Sequence, residues 1–137
     1  STNSYFLLAL LCDIHYNGFN NIARRRMNEL TDIYANFVVE LRRGVTNLVV
    51  LSQCQQPTYG YQLVKELADS GIPLEGNTVY PLLRRLEDQG LLRSDWDTST
   101  DKPRKYYQIT EVGRQLLAQI TSYWRESVKN IESILEA

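Results

Sequence analysis

The chain has 137 residues, of which 43% are hydrophobic and 23% charged, and this is the composition of one ordinary globular domain. Its formal net charge of −1 excludes binding to nucleic acid through overall basicity, so any such contact has to come from a local cluster of cations. Two cysteines without a C-x-x-C spacing and a single histidine leave too few ligands for a zinc site, and we expect neither a metal nor a cofactor.

The N-terminal part of the chain carries no recognisable signal. The apolar run at residues 5–11 is far shorter than the roughly 20 residues of a transmembrane helix, and no basic residue precedes it. We therefore expect a cytoplasmic protein without a membrane segment, in which Cys12 and Cys54 are reduced. The sequence leaves open whether either thiol is redox-active. Residues 1–26 form an extension to which the sequence assigns no role.

The first predicted helix covers residues 28–43 and ends at Gly44. Its apolar residues follow the i, i+3, i+4, i+7 spacing of an amphipathic helix. They are Leu30, Ile33, Tyr34, Phe37, Val38 and Leu41. A second helix follows to about residue 55, with Thr46 or Asn47 as its N-cap, and Pro57 ends that segment.

Two further helices are predicted on either side of a short glycine- and proline-containing connection at residues 71–76. The third helix covers residues 58–70, and its inner face consists of Tyr61, Val64 and Leu67. The fourth begins at Asn77 or Thr78, so that Pro81 falls in its first turn, where proline is tolerated. Its core residues are Leu82, Leu83 and Leu86, and Gly90 provides a left-handed C-terminal cap.

After Gly90 the polar and apolar residues alternate, which predicts a β-hairpin. Residues 92–97 form the first strand, residues 98–103 the turn and residues 104–109 the returning strand. Thr110 then caps a last helix that continues to the C-terminus. The fold class is therefore mainly α with a small β-hairpin, a winged helix-turn-helix over residues 44–110 flanked by dimerisation helices at 27–43 and 111–137.

Helix-turn-helix proteins insert their second helix into the major groove of DNA. The fourth helix would present Asn77, Thr78 and Tyr80 there, with Arg84 one turn later. Asparagine and threonine read base edges or bind phosphate, and arginine does either. The alternative is that these residues only cap and solvate a short helix, and the spacing alone does not decide between the two interpretations.

The hairpin turn carries a local cluster of cations, Lys102, Arg104 and Lys105, which can reach phosphates beside the recognition helix. The alternative is a solvated hairpin. Residues 75–109 hold six positive and six negative side chains, so DNA binding depends on how these charges are distributed over the surface. The positive ones are Arg84, Arg85, Arg93, Lys102, Arg104 and Lys105, and the negative ones are Glu75, Glu87, Asp88, Asp95, Asp97 and Asp101.

The last helix has an apolar stripe with almost a heptad spacing, which predicts pairing with another helix in a two-fold dimer. The interface residues are Leu117, Ile120, Trp124, Ile131 and Ile134, together with Phe37 of the N-terminal helix. The alternative is that the last helix folds back on the N-terminal helix of its own chain.

Trp96 ends the alternation of the first wing strand, where a single domain has little depth to bury an indole. A two-fold axis would bring two such indoles together as a flat slot for a planar aromatic molecule. The alternative is that Trp96 covers the core of its own domain or packs on the C-terminal helix.

Residues 44–110 resemble the PadR family of transcriptional regulators. The resemblance is carried by the following stretches: Tyr59-Gly60-Tyr61 with Leu63, residues 77–87 (NTVYPLLRRLE), Gly90-Leu91, and residues 102–107 (KPRKYY) followed by Ile109-Thr110 and Gly113. It implies a homodimer that represses genes at a near-palindromic operator, and it places Tyr59 at the DNA-binding site. In some members an aromatic ligand releases the DNA, and Trp96 falls where drug-sensing relatives place a tryptophan near the dimer axis.

We therefore expect a sequence-specific DNA-binding regulator. The alternative is a winged-helix module that binds protein and not DNA. An enzyme is not expected, because no nucleophile–base pair, phosphate-binding glycine loop or carboxylate pair is found in the sequence. We accordingly predict no catalytic residues.

Overall fold

The structure is a computed structural model that describes the backbone of residues 2–137 and the side chains of residues 20–137. The elements in chain order are α1 (Thr2–Arg43), α2 (Thr46–Gln53), β1 (Thr58–Tyr59), α3 (Gly60–Asp69), α4 (Gly76–Asp88), β2 (Leu92–Asp97), β3 (Arg104–Ile109) and α5 (Glu111–Leu135). They divide into two compact units, residues 1–44 and residues 45–137. Cys12, whose redox activity the sequence leaves open, lies outside the residues whose side chains the structure describes.

The first unit is a single helix, α1, of 42 residues. The predicted start of this helix at residue 28 is wrong, because the helix begins at Thr2 and passes residue 28 without a break. Arg25 and Glu29 form an i,i+4 ion pair across the predicted boundary, with 3.5 Å between Nε and Oε1. The large apolar residues that α1 carries between residues 22 and 41 are mostly exposed, Phe37 to 63%.

The second unit has one hydrophobic core, to which all its helices and the sheet contribute. Helices α3 and α4 each bury the face on which their apolar residues lie, and α5 contributes buried residues from its N-terminal turns. The buried residues are Val50, Leu51, Cys54, Leu63, Leu67, Val79, Leu82, Leu83, Leu86, Leu92, Tyr107, Ile109 and Leu117.

The sheet is antiparallel with the strand order β1-β3-β2, so it contains one strand more than the predicted hairpin. Strands β2 and β3 pair from Leu92↔Ile109 to Asp97↔Arg104, as expected of the wing. The prediction of helix from Thr58 is wrong, because Thr58 and Tyr59 pair with β3 and α3 begins only at Gly60. Tyr59 has an extended backbone (φ −109°, ψ 158°), which lets it bond to the free edge of β3.

Local signals explain where several helices begin and end. Gly71 (φ 84°) and Gly90 (φ 76°) are left-handed, and the latter confirms the predicted cap of α4. The hydroxyl of Thr110 accepts a hydrogen bond from the Gly113 N–H (3.1 Å), which confirms the predicted cap of α5. The N-cap of α2 is Val45, which makes no side-chain cap hydrogen bond, so the expected N-cap at Thr46 or Asn47 is wrong.

Helix α4 begins at Gly76, one residue before the first of the two predicted starts. Pro81 therefore lies in the second turn of α4 and not in the first. Because proline has no N–H, the carbonyl of Asn77 receives no helical hydrogen bond from this position. The helix remains continuous through this position, because Val79, Leu82, Leu83 and Leu86 anchor it in the core.

Candidate nucleic-acid interface

Helices α3 and α4 are joined by residues 70–75 and pack on each other as a helix-turn-helix. Asn77 and Thr78 are exposed in the first turn of α4, whereas Val79 is fully buried. The burial of Val79 fixes the rotation of α4, and its neighbours Asn77 and Thr78 consequently point to solvent. Both side chains are thus accessible to a ligand, which is required of residues that contact the base edges of DNA.

Tyr80 packs against the start of α3. A Cβ placed on Gly60 would lie 2.2 Å from Cε1 of the Tyr80 ring, and one placed on Gly76 would lie 3.2 Å from Cε2. The ring therefore fills the space that two glycines leave open between the helices. Since Tyr80 remains 45% exposed, its structural role and the predicted groove contact are compatible.

The two adjacent arginines on α4 differ in their contacts with the residues that the structure describes. Arg85 donates to Oδ1 of Asn47 at 3.0 Å. The guanidinium of Arg84 is exposed and has neither a hydrogen bond nor an ion pair with any residue that the structure describes. Arg84 is therefore the cation that α4 leaves available.

Lys102 and Arg104 are both exposed at the hairpin turn. Arg104 lies over the ring of Tyr59 with 4.6 Å to the centroid, and the rings of Tyr59 and Tyr106 pack edge-to-face with 5.4 Å between their centroids. This cation–π contact holds Arg104 beside β1 while its charge remains in water.

Asp97 lies opposite Arg104 in the sheet. Its pKa is lowered, first by a hydrogen bond from the Ser99 hydroxyl (2.6 Å), then by the Ser99 N–H (2.9 Å), with a smaller effect from Arg104. The carboxylate at this end of the wing therefore stays ionised, and it offsets part of the local positive charge.

Lys105, the third wing cation, forms an ion pair with a carboxylate of its own chain. Its Nζ lies 3.5 Å from Oε2 of Glu87 on α4 and 5.3 Å from the centroid of the Tyr107 ring. Glu87 also accepts a short hydrogen bond from the hydroxyl of Ser94 on β2. This link could not be predicted from the sequence, since nothing in the spacing pairs Glu87 with Lys105.

A cleft of about 350 Å³ separates the wing from the helix-turn-helix. It is lined by Tyr59, Gly60, Tyr61, Tyr80, Trp96, Pro103, Arg104, Lys105 and Tyr107. Tyr61 is 69% exposed, so its predicted place on the inner face of α3 is wrong. Because α3 begins at Gly60, its inner face is formed by Gly60, Leu63 and Leu67, whose spacing fits a helix equally well.

Trp96 is 64% exposed, which excludes the alternative that its indole covers the core of its own domain. It shares a face of the sheet with its cross-strand neighbour Lys105 and lines the cleft.

The apolar stripe of α5 divides into a buried and an exposed part. Leu117 is only 9% exposed and belongs to the core, and Ile120 is half-buried against the same core. Further along, Trp124, Ile131 and Ile134 are 44%, 53% and 73% exposed. The outer part of the stripe, defined by these three residues, is thus free for a partner surface.

Other kinds of site receive no support in the described part of the chain. No helix there is apolar over enough residues to span a membrane, and no cluster of potential metal ligands is found there. Burial raises the pKa of the Cys54 thiol to about 12, so Cys54 is an unreactive core residue.

Comparison with known proteins places these features in a family. Residues 48–119 match the family model for the transcriptional regulator PadR-like family. A PadR family transcriptional regulator from Eggerthella lenta is 51% identical, with a TM-score of 0.74 over 77% of this chain and 95% of that chain. A PadR-like transcriptional regulator from Bacillus cereus is 26% identical, with a TM-score of 0.65 over 72% of this chain and 98% of that one. A transcriptional regulator from Mycobacterium tuberculosis is 32% identical over 81 residues, 58% of this chain and 76% of that protein.

Proposed function

The chain belongs to the PadR-like family of transcriptional regulators, and on this basis we propose that it is a homodimeric repressor of a near-palindromic DNA operator. The observation that carries the proposal is the arrangement around the cleft. There the start of α3, the recognition helix α4 and the wing meet, with exposed Arg104 at its rim. Family members regulate transcription and are not enzymes.

In this proposal the N-terminal turn of α4 enters the major groove. Asn77 and Thr78 contact base edges there, while Arg84 and the ring edge of Tyr80 face the groove wall. Lys102 and Arg104 bind the adjacent phosphates, and Tyr59 holds Arg104 in place for that contact. Lys105 is left out of this set because it is paired with Glu87.

The dimer in this proposal is formed by α1 and by the outer part of the α5 stripe. Phe37, Trp124, Ile131 and Ile134 are all exposed in a single chain, and large apolar residues of this kind are typical of surfaces that bind a partner. Leu117 and Ile120 contribute only indirectly, by fixing α5 on the core. A two-fold dimer would present two copies of α4 to the two half-sites of a palindrome.

We further propose that a planar aromatic molecule binds at Trp96 and releases the operator. The exposure of the indole and its position beside the recognition helix support this role. In a Trp124→Phe variant, where Trp96 is the remaining tryptophan, planar cationic and phenolic compounds should quench fluorescence and lower operator affinity together. Quenching of the wild type that persists undiminished in Trp96→Ala would place the ligand elsewhere.

The experiment that tests DNA binding through the wing is the salt dependence of affinity. Each phosphate contact adds about 0.9 to the slope of log K against log salt. Replacing Lys102 and Arg104 together by alanine should therefore flatten the slope by about two and weaken all DNA sequences alike. The matched control replaces Arg125 and Lys129, two cations of α5, and should leave the slope unchanged. Equal slopes for the wild type and the wing variant would remove the wing from the interface.

A further inference from the structure

We infer that Glu87 and Lys105 position the wing against the recognition helix, and that Lys105 serves this purpose and does not bind phosphate. The inference rests on the proposed DNA-binding function and concerns a pair to which that function assigns no role. It follows from the placement of one carboxylate between three elements, α4, β2 and β3.

Glu87 contacts the wing at two positions, Ser94 in the middle of β2 and Lys105 one residue from the turn end of β3. At its base the wing is fixed by buried Leu92 and Ile109, which are paired with each other in the sheet. At its tip, Lys102 and Arg104 are exposed. Glu87 lies in the last turn of α4 and reaches both strands between these two ends, so its contacts set the angle at which the tip leaves the domain.

Both oxygens of the Glu87 carboxylate are occupied. Oε1 accepts from Ser94 on β2, and Oε2 faces the ammonium of Lys105 on β3 at 3.5 Å. The Glu87 and Lys105 side chains are each only 31% exposed, which shields the pair from salt more than a fully exposed one. Burial of this degree and a second hydrogen bond distinguish Glu87 from an ordinary surface carboxylate.

Lys105 and Arg104 follow each other in a strand, so their side chains leave opposite faces of the sheet. Arg104 lies over Tyr59, whereas Lys105 lies between the Glu87 carboxylate and the Tyr107 ring. Reaching a phosphate would require Lys105 to abandon both partners and expose the half-buried carboxylate. Lys105 is therefore held to the domain while its neighbour is directed to the ligand.

The consequence for binding is preorganisation. When two elements contact the same duplex, fixing their relative position beforehand lowers the entropy lost on association. Without the Glu87 link the wing would pivot on its base, and the tip cations would have to be ordered during binding. We expect the loss to appear as weaker binding to DNA at an unchanged number of phosphate contacts.

The test compares Glu87→Gln and Lys105→Met with the wild type, in the full chain, using operator DNA at several salt concentrations. Each variant should weaken operator binding by about threefold to fivefold, the scale of a partly buried ion pair, and leave the salt slope unchanged. The double variant should bind no worse than the weaker single variant, because both changes break one contact. Exchanging the charges, with Glu87→Lys and Lys105→Glu together, should recover part of the loss.

The sign of the Glu87→Gln effect separates positioning from simple electrostatics. Removing a negative charge near DNA should tighten binding if Glu87 only repels phosphate or withholds Lys105 from it, so tighter binding overturns the inference. A salt slope lowered by about one in Lys105→Met also overturns it, because Lys105 would then be a phosphate contact. Glu66→Gln, the same change on α3 at a carboxylate that accepts from Gln62, is the control and should bind as the wild type does. If the wild type itself binds no operator, the proposed function fails and not this inference alone.

Discussion

Among the glycines of the helix-turn-helix, Gly60 leaves the least room for a side chain. Its alanine variant would place a Cβ at 2.2 Å from Tyr80, and the ring would have to move away from α3. We expect Gly60→Ala to lower the free energy of unfolding by about 1–3 kcal/mol, the usual cost of overpacking, measured by denaturant titration. Gly44→Ala is the matched control, because the nearest atom to its Cβ is the Leu41 carbonyl oxygen at 3.8 Å.

The same change can be traced to its cause with a second substitution. In a Tyr80→Ala background the clash is absent, so Gly60→Ala should there cost much less than in the wild type. If Gly60→Ala is as stable as Gly44→Ala, the packing of Tyr80 on α3 is not as described.

Features of single residues that depend on neighbouring residues could be predicted from the sequence, whereas contacts between residues of separate elements could not. The caps at Gly90 and Thr110 follow from local backbone chemistry, and both are present. The contact of Tyr80 with Gly60 and the pairing of Glu87 with Lys105 join separate elements, so no spacing rule reveals them. The prediction that Tyr61 faces the core is wrong because two different faces of α3 fit the apolar pattern equally well.

Among the elements, α4 carries the specificity in the proposed function. Asn77→Ala should weaken operator binding by about 1–3 kcal/mol while affinity for random DNA stays nearly constant, because a base contact is lost. Titrations with both duplexes at one salt concentration measure the difference. Gln89→Ala, at the exposed C-terminal end of the same helix, should change neither affinity. Equal losses on both duplexes would make Asn77 a phosphate contact.

The elements themselves were largely predictable from hydrophobic period and from turn residues. Helix α4, the strands β2 and β3 and helix α5 lie where the sequence predicts them to within a few residues. Strand β1 was missed because two residues are too short for an alternating pattern, and its extended form depends on pairing with β3. The early start of α1 was missed because its first residues lack the amphipathic period on which the prediction relied.

For the whole molecule, the proposed dimer depends on the outer part of the α5 stripe. Trp124→Ala should convert the dimer to monomers or unfold it, because a large aromatic at a packed interface typically contributes several kcal/mol. Light scattering after size-exclusion chromatography measures the mass directly. Lys129 is exposed and, at about 100° per residue, lies about 140° around α5 from Trp124, so Lys129→Ala should leave the mass unchanged. An unaltered, stable dimer in Trp124→Ala would place the interface elsewhere on the chain.

The proposed recognition of a particular DNA sequence can be tested by selection from genomic DNA. The full-length protein is incubated with fragmented DNA, bound fragments are sequenced, and the enriched site is titrated against a scrambled duplex at the same salt concentration. We predict enrichment of a near-palindromic site with half-sites about one helical turn apart, bound at least about 10³-fold more tightly than the scrambled duplex. If no sequence is enriched and both duplexes are bound equally well, the protein is not a sequence-specific DNA-binding regulator.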